Sequence, residues 1–127
     1  MMFGLFELFG RSRDIRHLDQ ELRTVGLHPR IVPDAVKLAT VRQVKEACSD
    51  AASDPCTYAS AAELLGYCML GREAFTESND SHRTKAVEAR LVAAIEAGDS
   101  ADARLVLLTL HAGVIEAGVV ERYELSI

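Results

Sequence analysis

Two groups of polar side chains have the residue types and the spacing to bind a divalent cation. In the first, Asp14, His17 and Glu21 follow one another at intervals of three and four residues, which places them on one face of a helix. A solvated helix face with a His17–Glu21 pair explains the same residues, whereas a metal site needs at least three oriented ligands with supporting hydrogen bonds. We therefore expect no metal at this position.

The second group consists of Glu77, Asn79, Asp80 and His82, in a polar stretch that also offers oxygen ligands. The stretch lacks the turn glycine and the distal glutamate of a calcium-binding loop. Asp and Asn are residues that commonly stand where a helix begins. Helix capping therefore explains this group, and the sequence predicts neither a bound metal nor another cofactor.

His111 is the main candidate for acid–base or ligand chemistry, because it stands in the most apolar run of the chain. We expect its imidazole to be at least partly buried, with a hydrogen-bond partner such as Tyr58, Tyr67 or Glu63. A structural histidine satisfied in this way is the simpler interpretation. The alternative is a pocket near His111, Tyr67 and Glu63 that binds a small molecule or a metal, with or without enzymatic activity.

Three cysteines, Cys48, Cys56 and Cys68, are candidate nucleophiles, but their number is odd and they form no C-x-x-C pair. Nothing at the N-terminus resembles an export signal, which favours the cytoplasm and reduced thiols. Cys48 and Cys68 fall on apolar stripes, so we expect them to be small core residues. Cys56 stands in the first turn of a predicted helix and is the candidate for a lowered thiol pKa. We predict that none of the three is catalytic.

The motifs of the common enzyme classes are absent from the sequence. It contains no glycine-rich phosphate loop, no H-E-x-x-H, no paired C-x-x-C and no G-x-S-x-G. Its net charge of −5 repels a phosphate backbone, and no basic stretch is interleaved with aromatic residues. The sequence therefore favours neither an enzyme nor a nucleic-acid-binding protein.

The most unusual part of the sequence is its N-terminal segment. Three of the four phenylalanines, Phe3, Phe6 and Phe9, occur there, and Arg11 and Arg13 follow at once. Burial of apolar surface stabilises by about 25 cal/mol per Å², so three rings favour burial by several kcal/mol. The chain's own core, another protein chain and an anionic membrane surface are the three alternatives. The shortness of the segment argues against a membrane anchor.

The elements that must position these residues are helices. Of 127 residues 18 are alanine, 49% are hydrophobic and 26% are charged. Alanine and the abundant Leu, Glu and Arg lose little side-chain entropy in a helix. Because the length suits one domain, we predict an all-α, single-domain, irregular bundle of about five helices.

Local signals set the predicted helix boundaries. Gly26 and Gly98 follow apolar stripes where a left-handed residue ends a helix, and Asp54-Pro55 suits a helix start. The short connection after Gly98 predicts an antiparallel helical hairpin. The predicted helices span 12–25, 33–48, 55–75, 81–97 and 100–117, with an apolar aromatic segment over 1–10 and a tail over 119–127.

The longest uncharged apolar run covers residues 105–115. It is too short for the roughly 20 residues that a bilayer core requires, so no membrane span is predicted. A helix that is apolar on all sides is expected to be surrounded by others. The third and fifth predicted helices are therefore expected at the centre of the fold.

Charge is divided unevenly along the chain. Residues 1–45 hold eight basic and five acidic side chains, and the remainder holds six basic and fourteen acidic ones. We predict a cytoplasmic protein-interaction module that forms a homodimer or a higher oligomer, with the N-terminal segment near an acidic part of another copy. The predicted interface residues are Phe3, Phe6, Phe9, Arg11 and Arg13. Another protein is a further candidate partner, a membrane surface is not expected, and the small-molecule or metal pocket is the alternative function.

Overall fold

The computed structural model describes residues 2–47 and 55–126, and the side chains of residues 13–46 and 58–126. All regular elements in these parts of the chain are helical, which confirms the all-α prediction. The helices are α1 (Met2–Thr24), a 3-10 helix (Pro29–Ile31), α2 (Asp34–Ala47), α3 (Pro55–Leu70), α4 (Arg72–Ser78), α5 (Ser81–Ala97), α6 (Ala101–His111) and α7 (Ala117–Tyr123). The described residues thus contain seven α-helices where the sequence predicted about five. None of them is long and apolar enough to cross a membrane.

Helix α1 begins at Met2, ten residues before the predicted start. The predicted helix start at residue 12 is therefore wrong, since Ser12 lies within the helix. No proline interrupts residues 2–24, so nothing in the sequence forces a helix to stop there. Residues 2–10 of the apolar aromatic segment predicted over 1–10 form the first turns of α1.

The predicted helix over residues 55–75 is divided in two at Gly71. Gly71 has a φ of +87° and a ψ of 169°, a backbone conformation that is open almost solely to glycine. Its N–H still bonds to the carbonyl of Tyr67 at 2.9 Å, and its carbonyl accepts from the N–H of Phe75 at 3.0 Å. The chain therefore ends α3 and enters α4 within one residue.

The predicted C-terminal helix and tail are wrong in their boundaries. Helix α6 ends at His111, and residues expected in the tail form α7 instead. Gly113, at φ +71°, turns the chain between the two helices. The N–H of Glu116 then bonds to the carbonyl of Cys68 at 2.8 Å. This hydrogen bond attaches the start of α7 to the last turn of α3.

Helix α3 has the most packing partners, since it contacts α1, α2, α4, α5 and α6. Its side chains Tyr58, Leu64, Leu65 and Tyr67 are fully buried. Helix α6 packs on α2, α3 and α5, but Leu107 on its outer side is 41% exposed. The expectation that both predicted central helices are surrounded is therefore met by α3 and not by α6.

The last long helices, α5 and α6, pack against each other as the predicted hairpin. Asp80 caps α5 by accepting from the N–H of Arg83, and Gly98 ends it in a left-handed conformation. Arg90 on α5 then forms a two-pronged ion pair with Asp102 on α6, at 3.1 and 2.9 Å. Local caps and this ion pair together hold the hairpin.

Candidate functional site

His111 lies at the last residue of α6, and its side chain is exposed. The expectation of partial burial is therefore wrong. His111 stands four residues after the exposed Leu107 and seven after the exposed Arg104, so these three share one outward face of the helix. The sequence around His111 did not indicate an exposed face, because one of the residues on that face, Leu107, is apolar.

Tyr67 and Glu63, the other residues of the predicted pocket, lie one turn apart on α3 and bind different partners on α5. The phenol of Tyr67 is buried and donates to Glu88 Oε2 at 2.8 Å. Glu63 forms an ion pair with Arg83 at 3.5 Å. The described cleft that Tyr67 lines has neither Glu63 nor His111 in its wall. None of the described cavities is therefore lined by all three residues.

Glu88 is the centre of a polar cluster that the sequence analysis missed. Besides the Tyr67 phenol, its Oε2 atom faces Arg72 Nε at 3.2 Å and Arg122 Nη2 at 3.6 Å. The hydroxyl of Tyr123 lies 3.1 Å from that of Tyr67. These residues come from α3, α4, α5 and α7, so no local pattern could have joined them. The cluster fastens three later helices to α3.

Burial raises the pKa of Tyr67 well above its ordinary value, and its hydrogen bonds to Tyr123 and Glu88 raise that pKa further. The phenol therefore stays neutral at physiological pH and cannot act as a general base. The two guanidinium groups of the cluster are already paired with Glu88. The cluster has the properties of a structural network.

An open cleft of about 560 Å³ lies beside this cluster, between α4 and α7. Its volume lies within the range of small-molecule sites, about 300–1,000 Å³, but such sites are mostly apolar. Its wall here carries both acidic and basic side chains. The main lining residues are Tyr67, Gly71, Arg72, Glu73, Glu116 and Arg122.

Side chains of the first candidate metal group contact other residues of the protein. Asp14 forms an ion pair with Lys45 of α2, and the ring of His17 packs against the ring of Tyr58 at 4.9 Å. Glu21 is half-buried on the next turn. Among the described residues no group of three or more His, Cys, Asp or Glu side chains is arranged to hold a metal ion.

In the second candidate metal group, Asn79 and Asp80 are capping residues, as predicted, whereas Glu77 and His82 lie within α4 and α5. Besides the Asp80 cap, Asn79 Nδ2 donates to the carbonyls of Val25 at 3.0 Å and Phe75 at 2.9 Å. Asn79 thereby joins the end of α4 to the end of α1. The side chain of His82 is exposed.

Cys68 is buried, and burial raises the pKa of its thiol to about 12. This confirms Cys68 as a core residue and excludes a reactive thiolate there. Cys48 lies outside the described residues. Cys56 belongs to the first turn of α3, and its side chain is outside the described part of the chain.

A second surface feature is an apolar groove of about 170 Å³ between α5 and α6. The large side chains in its wall, Ile95 and Leu107, are 43% and 41% exposed. The sequence analysis missed it because it placed the apolar residues of α6 in the core. Six of the lining residues are Ala94, Ile95, Ala103, Val106, Leu107 and Leu125.

The predicted interface residues Phe3, Phe6, Phe9 and Arg11 all belong to the first turns of α1. Their side chains lie outside the described part of the chain. Arg13 is described, and its side chain is exposed. The structure thus describes the helical backbone of the predicted interface residues, and a side chain for Arg13 among them.

Comparison of the chain with protein-family models, with curated proteins and with solved structures finds no match. The function proposed below therefore comes from the geometry of this chain alone.

Proposed function

We propose that the chain is a cytoplasmic, single-domain helical bundle that acts as a protein-interaction module and assembles with further copies of itself. Residues 1–10 are here called the aromatic head, and its Phe3, Phe6 and Phe9 form the contact surface together with Arg11 and Arg13. The observation that supports this proposal is the course of α1, which runs through residues 2–10 of the head as one continuous helix.

Contacts between α1 and α3 give the position of the head relative to the start of α3. The rings of His17 and Tyr58 are 4.9 Å apart, and a Cβ on Gly66 would come within 2.9 Å of Val25. In each pair the residue of α3 follows its partner from the α1 side by the same number of positions. Contacts therefore advance along both helices in the same direction, and the two helices are parallel. Pro55, where α3 begins, is therefore level with the second half of α1. The head continues past the start of α3.

Contacts between α1 and α2 lead to the same conclusion. Asp19 faces Lys37 at 3.0 Å, and Asp14 pairs with Lys45, so the two helices are antiparallel. Helix α2 ends at Ala47, just beyond Lys45. At 1.5 Å per residue the head extends about 15 Å beyond the ends of α2 and α3 that the structure describes.

The helical register of α1 separates Phe6 and Phe9 from the side of the helix that packs on the chain's own core, whereas Phe3 shares the side of the half-buried His17. Seven residues make almost two full turns, so positions seven apart share a side of the helix. Phe6 and Phe9 precede Arg13 and Arg16 by seven residues, and both arginine side chains are exposed. The buried stripe of α1 continues toward Leu8 instead. This register supports a contact with another chain over burial in the chain's own core.

A second copy of the chain suits this surface on two grounds. In a two-fold assembly every contact occurs twice, and each fully buried phenylalanine contributes about 1.5–3 kcal/mol. The positive charge of residues 1–45 also complements the negative charge of the remainder. Apolar burial supplies most of the affinity, while the charges set the orientation and the association rate.

The test is the molar mass of the full chain by light scattering. Phe6→Ala/Phe9→Ala is expected to shift the mass toward the monomer, because it removes two rings at positions that are in register with the exposed Arg13 and Arg16. The matched control is Leu8→Ala, which removes an apolar side chain at a position in register with the half-buried Ile15 and is expected to leave the assembly intact. Equal effects of the two variants contradict the register argument.

Salt provides a second arm of this test. About 0.5 M salt screens exposed charges within a few Å but leaves apolar burial unchanged. We therefore expect salt to weaken the assembly only moderately. Complete dissociation by salt would show that charge, and not the aromatic head, holds the chains together.

The open cleft near Tyr67 is the second candidate function, as a small-molecule site. Its volume of about 560 Å³ is the observation that favours it. The pairing of Arg72 and Arg122 with Glu88 counts against it, since the carboxylate already neutralises part of their positive charge. A native mass spectrum of the purified protein tests it, because a stoichiometric bound molecule that Arg122→Ala removes would establish the site.

A further inference from the structure

The groove between α5 and α6 is an apolar surface that the intramolecular packing leaves open. We infer that it receives a phenylalanine ring from the aromatic head of a second copy of this chain. The inference rests on the proposed self-association and adds the surface that accepts the head. Four observations support it, namely the size of the groove, its exposure, the charge of its exposed sequence neighbours and its position in the fold.

The size of the groove matches one aromatic ring. Its volume is about 170 Å³, and a cavity of about 150 Å³ lined by aliphatic and aromatic side chains takes up one benzene molecule. It is too small for a typical small-molecule ligand, which needs about 300 Å³ or more. Ala94 and Ala103 are both buried and form its floor, where the small side chains leave the depression between the two helices.

The walls of the groove are aliphatic side chains in contact with solvent. Ile95 is 43% exposed and Leu107 is 41% exposed, and they line the same groove from opposite helices. Leu125, after α7, is half-buried at the same groove. An incoming ring would bury all three of these side chains at once, which is the arrangement that concentrates binding energy at an interface.

The exposed sequence neighbours of the lining residues are mostly acidic. Glu96, Asp99 and Glu124 are exposed and directly adjoin lining residues in the sequence, and Arg104 is the exposed basic neighbour. The head is followed by Arg11 and Arg13, whose positive charge complements this excess of carboxylates and favours the approach of the incoming helix.

The groove lies at the end of the molecule from which the head extends. Gln43, near the end of α2, donates from Nε2 to the carbonyl of Ala101 at the start of α6, at 2.6 Å. The end of α2 is also the level beyond which the head continues. Because α1 is one continuous helix, its head cannot fold back into the groove of the same chain. A two-fold axis at this end would place each head over the groove of the other copy.

The groove is tested with Ile95→Lys/Leu107→Lys in the full chain. Lysine is a good helix former, and here it puts two positive charges where the ring would sit and where the arginines would approach. The matched control is Ile31→Lys, which changes an apolar side chain that is 56% exposed on the 3-10 helix. Light scattering is expected to give a monomer for the groove variant and the wild-type mass for the control. Circular dichroism checks that both retain their helices.

A mixture of the two variants tests directly whether the groove of one chain binds the head of another. The head variant Phe6→Ala/Phe9→Ala retains an intact groove, and the groove variant retains an intact head. A mixture of the two is therefore expected to form a heterodimer held by one head–groove contact. Its dissociation constant should be at least tenfold weaker than that of the wild type, because one of two equivalent contacts is missing.

Three results would overturn the inference. If the groove variant assembles like the wild type while the head variant is monomeric, self-association stands and the accepting surface is elsewhere. If both variants are monomeric but do not combine, the groove does not accept the head. If the wild type is itself monomeric, the proposed function fails together with the inference. Should the lysine variant unfold, Leu107→Gln replaces it, and an unchanged dissociation constant for that variant counts against the groove.

Discussion

Replacing Gly71 by alanine probes how α4 and α7 are attached to α3. The φ of +87° and ψ of 169° at this residue cost about 1–3 kcal/mol for a residue with a side chain. A Cβ there would also lie 2.7 Å from Glu116 Oε2. That oxygen accepts from the N–H of Val119 at 3.2 Å and so caps α7. The new methyl group therefore strains the backbone and displaces the cap.

The expected magnitude follows from these two effects. Loss of a helix cap costs about 1 kcal/mol, so Gly71→Ala should lower the free energy of unfolding by about 2–4 kcal/mol in total. Gly98 is the matched control, because its φ is +80° but a Cβ added there would have nothing within 4 Å. Gly98→Ala should therefore cost only the backbone strain, about 1–2 kcal/mol.

A double variant separates the two effects. Glu116→Ala alone should cost about 1 kcal/mol through the lost cap. Gly71→Ala/Glu116→Ala should cost no more than Gly71→Ala, because the displaced cap is already lost in the single variant. Urea unfolding followed by circular dichroism measures all four variants. Equal costs for the two glycine variants, or fully additive costs in the double variant, would refute the contact between Gly71 and Glu116.

Two further predictions concern buried titratable groups. Burial, followed by the charge of Asp14, raises the pKa of Tyr58 to about 12 from 10.0, so the folded state favours the neutral phenol. The stability that the neutral Tyr58 contributes is complete below pH 10 and is lost as the pH rises toward 12. Urea midpoints should therefore fall more steeply over this range for the wild type than for Tyr58→Phe, and equal slopes would contradict the assignment. The native protein and Cys68→Ala should show the same number of thiols reactive toward Ellman's reagent near pH 8, and differ by one thiol in urea, because the pKa of the buried Cys68 thiol is raised to about 12. A difference of one thiol in the native state would show that Cys68 is accessible.

Local signals in the sequence were sufficient for the helix ends that depend on adjacent residues. Pro55 starts α3, Asp80 caps α5 and Gly98 ends it, all at the predicted positions or within one residue of them. Each of these residues acts through its own backbone preference or through an amide three residues away. The all-α class follows from composition for a similar reason, since helix propensity is a property of single residues.

Other features depend on contacts between distant residues and were missed. The break at Gly71 lies beside Glu116, and the buried phenol of Tyr67 meets Glu88 and Tyr123 from two other helices. The exposure of His111 depends on which side of α6 faces its neighbours. Because apolar residues occur on all sides of that helix, the sequence does not indicate which side is exposed. The open groove was missed for the same reason, because Leu107 has the residue type of a core position and not its environment.

The most direct test of the proposed function is the molar mass of the full-length wild-type chain by light scattering at tens of micromolar protein. We predict at least twice the monomer mass of 13.8 kDa, and a return to the monomer mass, with the helix content of the remaining chain retained, when residues 1–10 are deleted. A deletion variant that unfolds instead would place the head in the chain's own core. A full-length chain that is monomeric at this concentration would contradict the proposed self-association.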